Sequence, residues 1–336
     1  MTNPLHEYLL QLRTALLDVS TDDGEIEPLS RLSGARADHL ALAVCDRQGR
    51  VVSAGTRHAF PIQSISKAFA YGAAIDRHGL DYVLDAVDQE PTGEEFSAIS
   101  IDEHTGRPKN PLVNVGALRT HAMLGADARS RAALLREVLD GAAGRELPVH
   151  EETFATERAS AHRNLALAHM LRAAGSMEDE PVDVVDGYLR GCAVLVTVED
   201  LATMGATLAS GGVNPCTGRR VLSPEASQQV LSVMLTCGMY DDAGEWMSRV
   251  GLPAKSGVAG GILAVLPAIC GLAAYAPALD RHGNSVRGTM AFRRMSRDYS
   301  LHLLSGELPR DVRERAEELL AAGGPTDLSE GPSSEG

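Results

Sequence analysis

Residues 258–279 run for 22 positions without a charge. A stretch of that length could in principle cross a bilayer. Gly260, Gly261, Pro267, Gly271 and Pro277 interrupt it, however, and no basic cluster flanks it. The fitting alternative is two fully buried strands joined by a turn. Strands covered on both faces read as continuous apolar runs rather than as alternation. A buried sheet near the C-terminal end is therefore the first constraint on the fold.

Other segments fill in around it. Asn3-Pro4 makes a helix start, followed by Leu5, Leu9, Leu12 and Leu16 at helical spacing. Two short apolar runs, 40–45 and 51–54, flank Asp46-Arg-Gln-Gly49 and read as a hairpin. A helix of small residues follows from Ser64 to Ile75 and stops near Gly79. Residues 80–225 are rich in Ala and Leu with helical periodicity, as in 131–139, 164–174 and 198–210. Strands near both ends with helices between them imply a mixed α/β (α+β) fold whose ends meet in one sheet. The sheet lobe would take about residues 20–78 and 225–305, with a helical lobe of about 79–224 inserted. Residues 1–321 then form one domain, and the Gly-, Ser-, Pro- and Glu-rich 322–336 a disordered tail. A cleft between two such lobes is a favoured place for a small-molecule site.

Charge narrows the function classes. The 31 Lys and Arg against 45 Asp and Glu give −14 at pH 7. That balance opposes coating of nucleic acid or anionic membrane, which relies on clustered basic residues. Five cysteines, Cys45, Cys192, Cys216, Cys237 and Cys270, are odd in number and form no C-x-x-C pair. They read as reduced core residues of a cytoplasmic protein. Residues 1–19 include Pro4, His6, Glu7, Arg13 and Asp18 and do not read as a secretory signal. Neither H-E-x-x-H nor a Cys/His cluster is present, so no metal or other cofactor is expected.

Lys67, Lys109 and Lys255 are the only lysines among 31 basic residues. Arginine cannot deprotonate, whereas a buried lysine can become a neutral base. Ser64-Ile-Ser-Lys67 sets a hydroxyl and an amine three residues apart at a helix start, where they share a face. The rest of that helix is Ala, Phe, Gly and Ile, which leaves Lys67 little solvated surface. A neutral amine there could take the serine proton and create a nucleophile. Pro253-Ala-Lys-Ser-Gly257 puts a second lysine beside a hydroxyl at the opening of a strand. As a second cation, Lys255 would depress Lys67 further. Backbone N–H groups near Val258 and at Ser64 could form an oxyanion hole. The bland alternatives are a lysine on an exposed helix face and a tight turn with a solvated lysine.

Polar side chains elsewhere suit an amide or amino-acid ligand. Asn110 and Asn114 lie in a rigid Pro-rich loop, where turn chemistry is the plainer role for Asn110 and an equal alternative to a site role for Asn114. Glu157 and Asn164 are seven apart, which on one continuous helix places them on one face about 10 Å apart. A salt-bridging surface helix would look the same. For Tyr188 and Tyr240, core packing is the alternative to a role in a site.

Taken together, these segments resemble the serine-dependent glutaminase family, relatives of the penicillin-recognising serine enzymes. The resemblance runs through Phe60-Pro-Ile-Gln-Ser-Ile-Ser-Lys67, Pro108 to Ala117, Glu157 to Asn164, and Tyr188 to Cys192. It continues through Leu208 to Gly212, Thr236 to Tyr240, Gly251 to Gly261 and Asp280 to Gly288. It covers about residues 20–300. It implies a β-lactamase-like antiparallel sheet flanked by helices, and an amidohydrolase that converts L-glutamine to L-glutamate and ammonia. By the same resemblance Ser64 is the nucleophile, Lys67 its base, Tyr240 a proton relay and Lys255 a supporting residue. Asn114, Glu157, Asn164 and Tyr188 grip the substrate's α-amino and α-carboxylate groups, and Val258 contributes a backbone contact. A homo-oligomer, dimer or tetramer, is implied as well.

One departure stands out. The family's substrate-contacting tyrosine in an Asp-Tyr-Ile-Pro stretch has no counterpart in Gly24-Glu-Ile-Glu-Pro28. Loss of one such hydrogen bond costs on the order of 1–3 kcal/mol of binding. That gap motivates a second reading, a catalytically silent amino-acid-binding protein. A third is a β-lactamase or peptidase-like serine hydrolase on the same scaffold.

Overall fold

Leu40, Leu42 and Val44 face one way along the first long strand, while Ala41, Ala43 and Cys45 face the other. Successive side chains alternate across a strand, so this segment contributes to two cores at once. The computed structural model of the chain describes residues 3–21, 24–92, 101–102 and 105–305. The tail expected at 322–336 lies outside them.

The main strands are β1 (Ala41–Asp46), β2 (Val51–Gly55), β3 (Ala254–Ser256), β4 (Gly261–Leu266) and β5 (Cys270–Tyr275). They form one sheet in the order β2-β1-β5-β4-β3, antiparallel throughout. The uncharged run is thus two central strands, with Gly261 opposite Tyr275 and Leu266 opposite Cys270. The β1–β2 turn is fixed by Asp46, whose carboxylate accepts from the Gln48 and Arg50 amides. Gly49 closes that turn at φ 77°, a conformation that favours glycine.

The longer helices are α1 (Pro4–Leu17), α2 (Ser66–His78), α3 (Asn114–Ala122), α4 (Ala128–Ala143), α5 (Glu151–Ala159), α6 (His162–Ala173), α7 (Pro181–Cys192), α8 (Val198–Ala209), α9 (Pro224–Cys237) and α10 (Val286–Tyr299). One sheet face is covered by α1 and α10, which bury Leu9, Leu12, Leu16 and Phe292 against it. The other is covered by α8, which lies across β5, β1 and β4. Helix α2 is buried from Ser66 to Ile75 and packs against α3, α4 and α9. A third core joins α3, α6 and α7 through residues such as Leu118, Leu167, Leu171 and Val184. Among the described residues no helix is long and apolar enough to cross a membrane.

One condition posed by the sequence is not met, and one expectation holds only in part. Glu157 and Asn164 do not share a helix: Glu157 is on α5 and Asn164 on α6. The Ser160 hydroxyl and amide both turn back onto the carbonyls of Thr156 and Glu157, which ends α5 one turn early. The cysteines are not all core residues either. Cys45, Cys192 and Cys270 are buried, Cys237 is half-buried and Cys216 is exposed, and all five are free thiols.

Candidate active site

The approach to Ser64 is set by two short strands, Phe60–Pro61 and Leu195–Val196, that pair antiparallel. The Ile62 amide extends this pairing by donating to the Val194 carbonyl at 2.8 Å. Gln63 then turns through φ 52°, a left-handed conformation that costs a non-glycine residue about 1–3 kcal/mol. Because of that turn, Ser64 sits in a 3-10 turn, Gln63–Ile65, and α2 proper begins only at Ser66. Gly257 lets the β3–β4 turn come close here: a Cβ on it would lie 2.9 Å from the Ile62 carbonyl oxygen. The serine turn and the lysine strand β3 are thereby held together.

Of the three lysines, Lys109 is half-exposed and pairs with Asp102. Lys67 and Lys255 are 1% and 0% exposed. Lys67 Nζ donates to Asn114 Oδ1 at 2.6 Å and to the Leu112 carbonyl at 3.1 Å. Those two acceptors account for the two hydrogens of a neutral amine. Burial lowers the Lys67 ammonium to about 8, opposed only by Cys192. Lys255 is pushed well below its ordinary value, first by burial and then by the charge of Lys67. The expected picture of Lys255 as the cation that depresses Lys67 is thus corrected: desolvation does that work, and Lys255 yields its own proton first. Its Nζ donates to the Ser256 carbonyl at 2.7 Å and lies 4.2 Å above the Tyr240 ring.

Tyr240 joins the two motifs. Its hydroxyl donates to the Ser256 carbonyl at 3.1 Å and lies near enough to the Ser64 hydroxyl to interact with it. Like Gln63, it has a left-handed backbone, with φ 55°. It also borders a cavity of about 380 Å³ lined by Leu112, Val113, Cys237, Asp241 and Met247. Tyr240 therefore touches both the serine and an opening.

The remaining polar groups converge from the helical side. Asn114 is the first residue of α3, and its Nδ2 donates to Asn164 Oδ1 at 3.5 Å. Glu157 Oε1 accepts from Gln63 Nε2 at 3.2 Å, while Glu157 Oε2 is buried without a partner. Burial raises the Glu157 carboxyl to about 7 despite the Gln63 bond. Tyr188, 7% exposed on α7, is close enough to Glu157 and Tyr240 to feel both electrostatically. Val258 lies in the 257–260 turn rather than in the strand expected there, and reaches the serine turn through its neighbour Gly257. The 24–28 segment that lacks the tyrosine leads into a short helix, Pro28–Leu32, packed on α5, the helix of Glu157.

Three groups in this centre escaped sequence reasoning, the Gln63 side chain, the Leu112 carbonyl and the Cys192 thiol, while the Ser256 hydroxyl, noted beside Lys255, is buried without a partner. Gln63 flanks a motif residue and was within reach of the sequence. A main-chain acceptor and a thiol beneath the site leave no such signal. Asn110 follows its plainer role: its Oδ1 accepts from the Leu112 and Val113 amides and fixes the loop that presents the Leu112 carbonyl.

An antiparallel sheet covered by helices, a buried S-x-x-K helix and a facing K-S-G strand define the β-lactamase-like fold class. Within that class the comparisons are specific. The sequence model of the family described as Glutaminase matches residues 27–304. The chain is 43% identical over 312 residues to a glutaminase of Corynebacterium glutamicum, covering 91% of this chain and 75% of that protein. It is 42% identical to a glutaminase of Microcystis aeruginosa over 92% of both. Among solved structures, Mglu in its glutamate form superposes with a TM-score of 0.86 at 43% identity, covering 92% of this chain and 72% of that one. A probable glutaminase of Bacillus subtilis gives 0.82 at 34% identity, over 89% and 97%. The chain belongs to the glutaminase family.

Proposed function

We propose that this glutaminase hydrolyses L-glutamine to L-glutamate and ammonia through an acyl-enzyme on Ser64. The observation that carries the reading is the buried Lys67 amine. With both hydrogens of its neutral form donated to Leu112 and Asn114, its lone pair is left for the proton of Ser64, three residues before it in the chain. In this mechanism Lys67 Nζ takes the Ser64 proton while Oγ attacks the side-chain carbonyl carbon of glutamine. Amide groups at Ser64 and Val258 receive the oxyanion. The captured proton passes to the departing nitrogen, with Tyr240 as the relay, and ammonia leaves. Water then attacks the ester, its proton returns to Ser64, and glutamate is released.

The α-groups of the substrate bind on the helical side. The unpartnered Glu157 oxygen suits the ammonium, and Asn114, Asn164 and Tyr188 supply the remaining polar contacts. Lys255 keeps Tyr240 and Ser256 in place. The glutamate form of the structurally similar Mglu supports the product assignment. Residues 1–321 as one catalytic domain, a homo-oligomeric assembly (dimer or tetramer) and a cytoplasmic location belong to the same reading. Ammonia release from glutamine by the purified protein tests it. Ser64→Ala should lose at least about 10³-fold in kcat, and a Ser64→Ala protein that still turns over would refute the reading.

A further inference from the structure

Beneath the site, a chain of buried polar groups runs from Tyr188 to the serine turn. Tyr188 and Cys192 are four apart on α7, so both point to the same side, and both are buried. The Tyr188 hydroxyl and the Cys192 thiol are close enough for each to shift the other's ionisation. Cys192 Sγ lies 3.9 Å from Ser66 Oγ, and Ser66 Oγ donates to the Gln63 carbonyl at 2.7 Å. Gln63 in turn holds Glu157 through its side-chain amide. The network thus ties two groups of the α-amino pocket to the turn that carries Ser64.

The hydrogens of this chain have a direction. Ser66 spends its hydrogen on the Gln63 carbonyl, so its oxygen can only accept from the thiol. The thiol hydrogen therefore goes to Ser66, and the sulfur is left as an acceptor for the tyrosine hydroxyl. Burial pushes the Cys192 thiol up to about 12, so it keeps its hydrogen at working pH and does not compete as a nucleophile.

We propose that Cys192 is a positioning residue: it takes the Tyr188 hydrogen and so presents the phenolic oxygen as an acceptor for the substrate's α-ammonium. This rests on the reading that Tyr188 touches substrate. Glu157 and Tyr188 then form a two-acceptor cradle for one ammonium, with a neutral sulfur setting the polarity of the second.

The test uses Cys192→Ala, Cys192→Ser, Tyr188→Phe and the Cys192→Ala/Tyr188→Phe double variant. Steady-state kinetics with glutamine are combined with competitive inhibition by glutamate and by glutarate, which lacks the ammonium. Cys192→Ala is expected to raise KM about 3- to 10-fold with kcat within about 3-fold, the size of one lost neutral hydrogen bond. Cys192→Ser should recover most of that loss. The double variant should be no worse than Tyr188→Phe, and glutamate inhibition should weaken while glutarate inhibition holds. The proposal is overturned by an unchanged KM in Cys192→Ala, equal losses in the Ala and Ser variants, additive losses in the double variant, or equal weakening of both inhibitors. If Tyr188→Phe leaves KM and glutamate inhibition intact, Tyr188 is not a substrate contact, and the underlying reading falls together with the proposal.

Discussion

Lys67 Nζ and Asn114 Oδ1 are 2.6 Å apart, which joins the amine of α2 to the first residue of α3. The neutral amide oxygen is an acceptor for the amine in either protonation state, so it orients Lys67 without fixing a charge on it. Asn114→Asp changes that. A carboxylate at this distance favours the ammonium and raises its pKa by about 1–3 units. The expected outcome is an alkaline shift of the kcat–pH profile by at least about one unit. At pH 7.5 this costs about 10-fold or more in kcat. A profile superposable on wild type would show that Lys67 does not titrate in the rate-limiting step.

Lys67→Arg should be as damaging as Lys67→Ala, with kcat down by about 10³-fold or more in both. Arginine preserves the positive charge but cannot accept the Ser64 proton. Circular dichroism and thermal melts establish that the variants are folded. Near-normal turnover in the arginine variant would remove Lys67 as the base.

Glu157 links pH to both binding and stability. Its carboxyl is raised to about 7 in the folded chain against 4.5 ordinarily, so folding favours the protonated form. A raised carboxyl destabilises the fold progressively as pH climbs from 4.5 through 7, and by a constant amount above that window. Glu157→Gln removes the penalty and should stabilise the ligand-free protein by about 1–3 kcal/mol at pH 8, with little effect at pH 4.5. The same change should raise KM for glutamine sharply, since it removes the anion that faces the ammonium. In the wild type, KM should fall as pH rises through 7. Thermal melts and KM values at pH 5, 6, 7 and 8 separate these effects.

Gly116→Ala should be severely destabilising. A Cβ there would collide with the Asn110 carbonyl oxygen, a backbone atom that cannot swing away. The Asn110 loop also carries the Leu112 carbonyl that accepts from Lys67. A loss of about 3 kcal/mol or more is expected by chemical denaturation. Any folded fraction should show reduced kcat, because the amine would be displaced. A variant within about 0.5 kcal/mol of wild type would contradict this packing.

The sheet was readable from the sequence because its physics is local. The uncharged run became two central strands, and Asp46 with Gly49 marked the hairpin. Ser64, Lys67 and Lys255 were readable for a related reason: a lysine in an apolar helix and a lysine beside small residues are conspicuous in a chain that otherwise uses arginine. Helix α8 was legible as a helix from its periodicity, but its place across the sheet was not, since 198–210 read as part of the helical lobe. Only Glu199 interrupts its buried surface, and the buried Asp200, Thr203 and Thr207 are satisfied by Arg145 and by main-chain carbonyls.

What stayed hidden depends on contacts distant in the chain. The left-handed turn at Gln63 has no glycine to announce it and is held by pairing to Val194, over 100 residues away. The break between α5 and α6 hangs on a hydroxyl folding back onto its own helix. Sequence spacing could not reveal that Lys67 leans on a main-chain carbonyl, or that Cys192 lies under the serine turn.

The central claim is that Ser64 carries the substrate's acyl group, and trapping that intermediate tests it most directly. Rapid acid quench of wild-type protein turning over glutamine, followed by peptide mass mapping, should find an adduct of one glutamine less one ammonia. It should sit on the peptide that contains Ser64, and Ser64→Ala should show no adduct and no ammonia release. Turnover in Ser64→Ala, or an adduct on any other residue, would contradict the account.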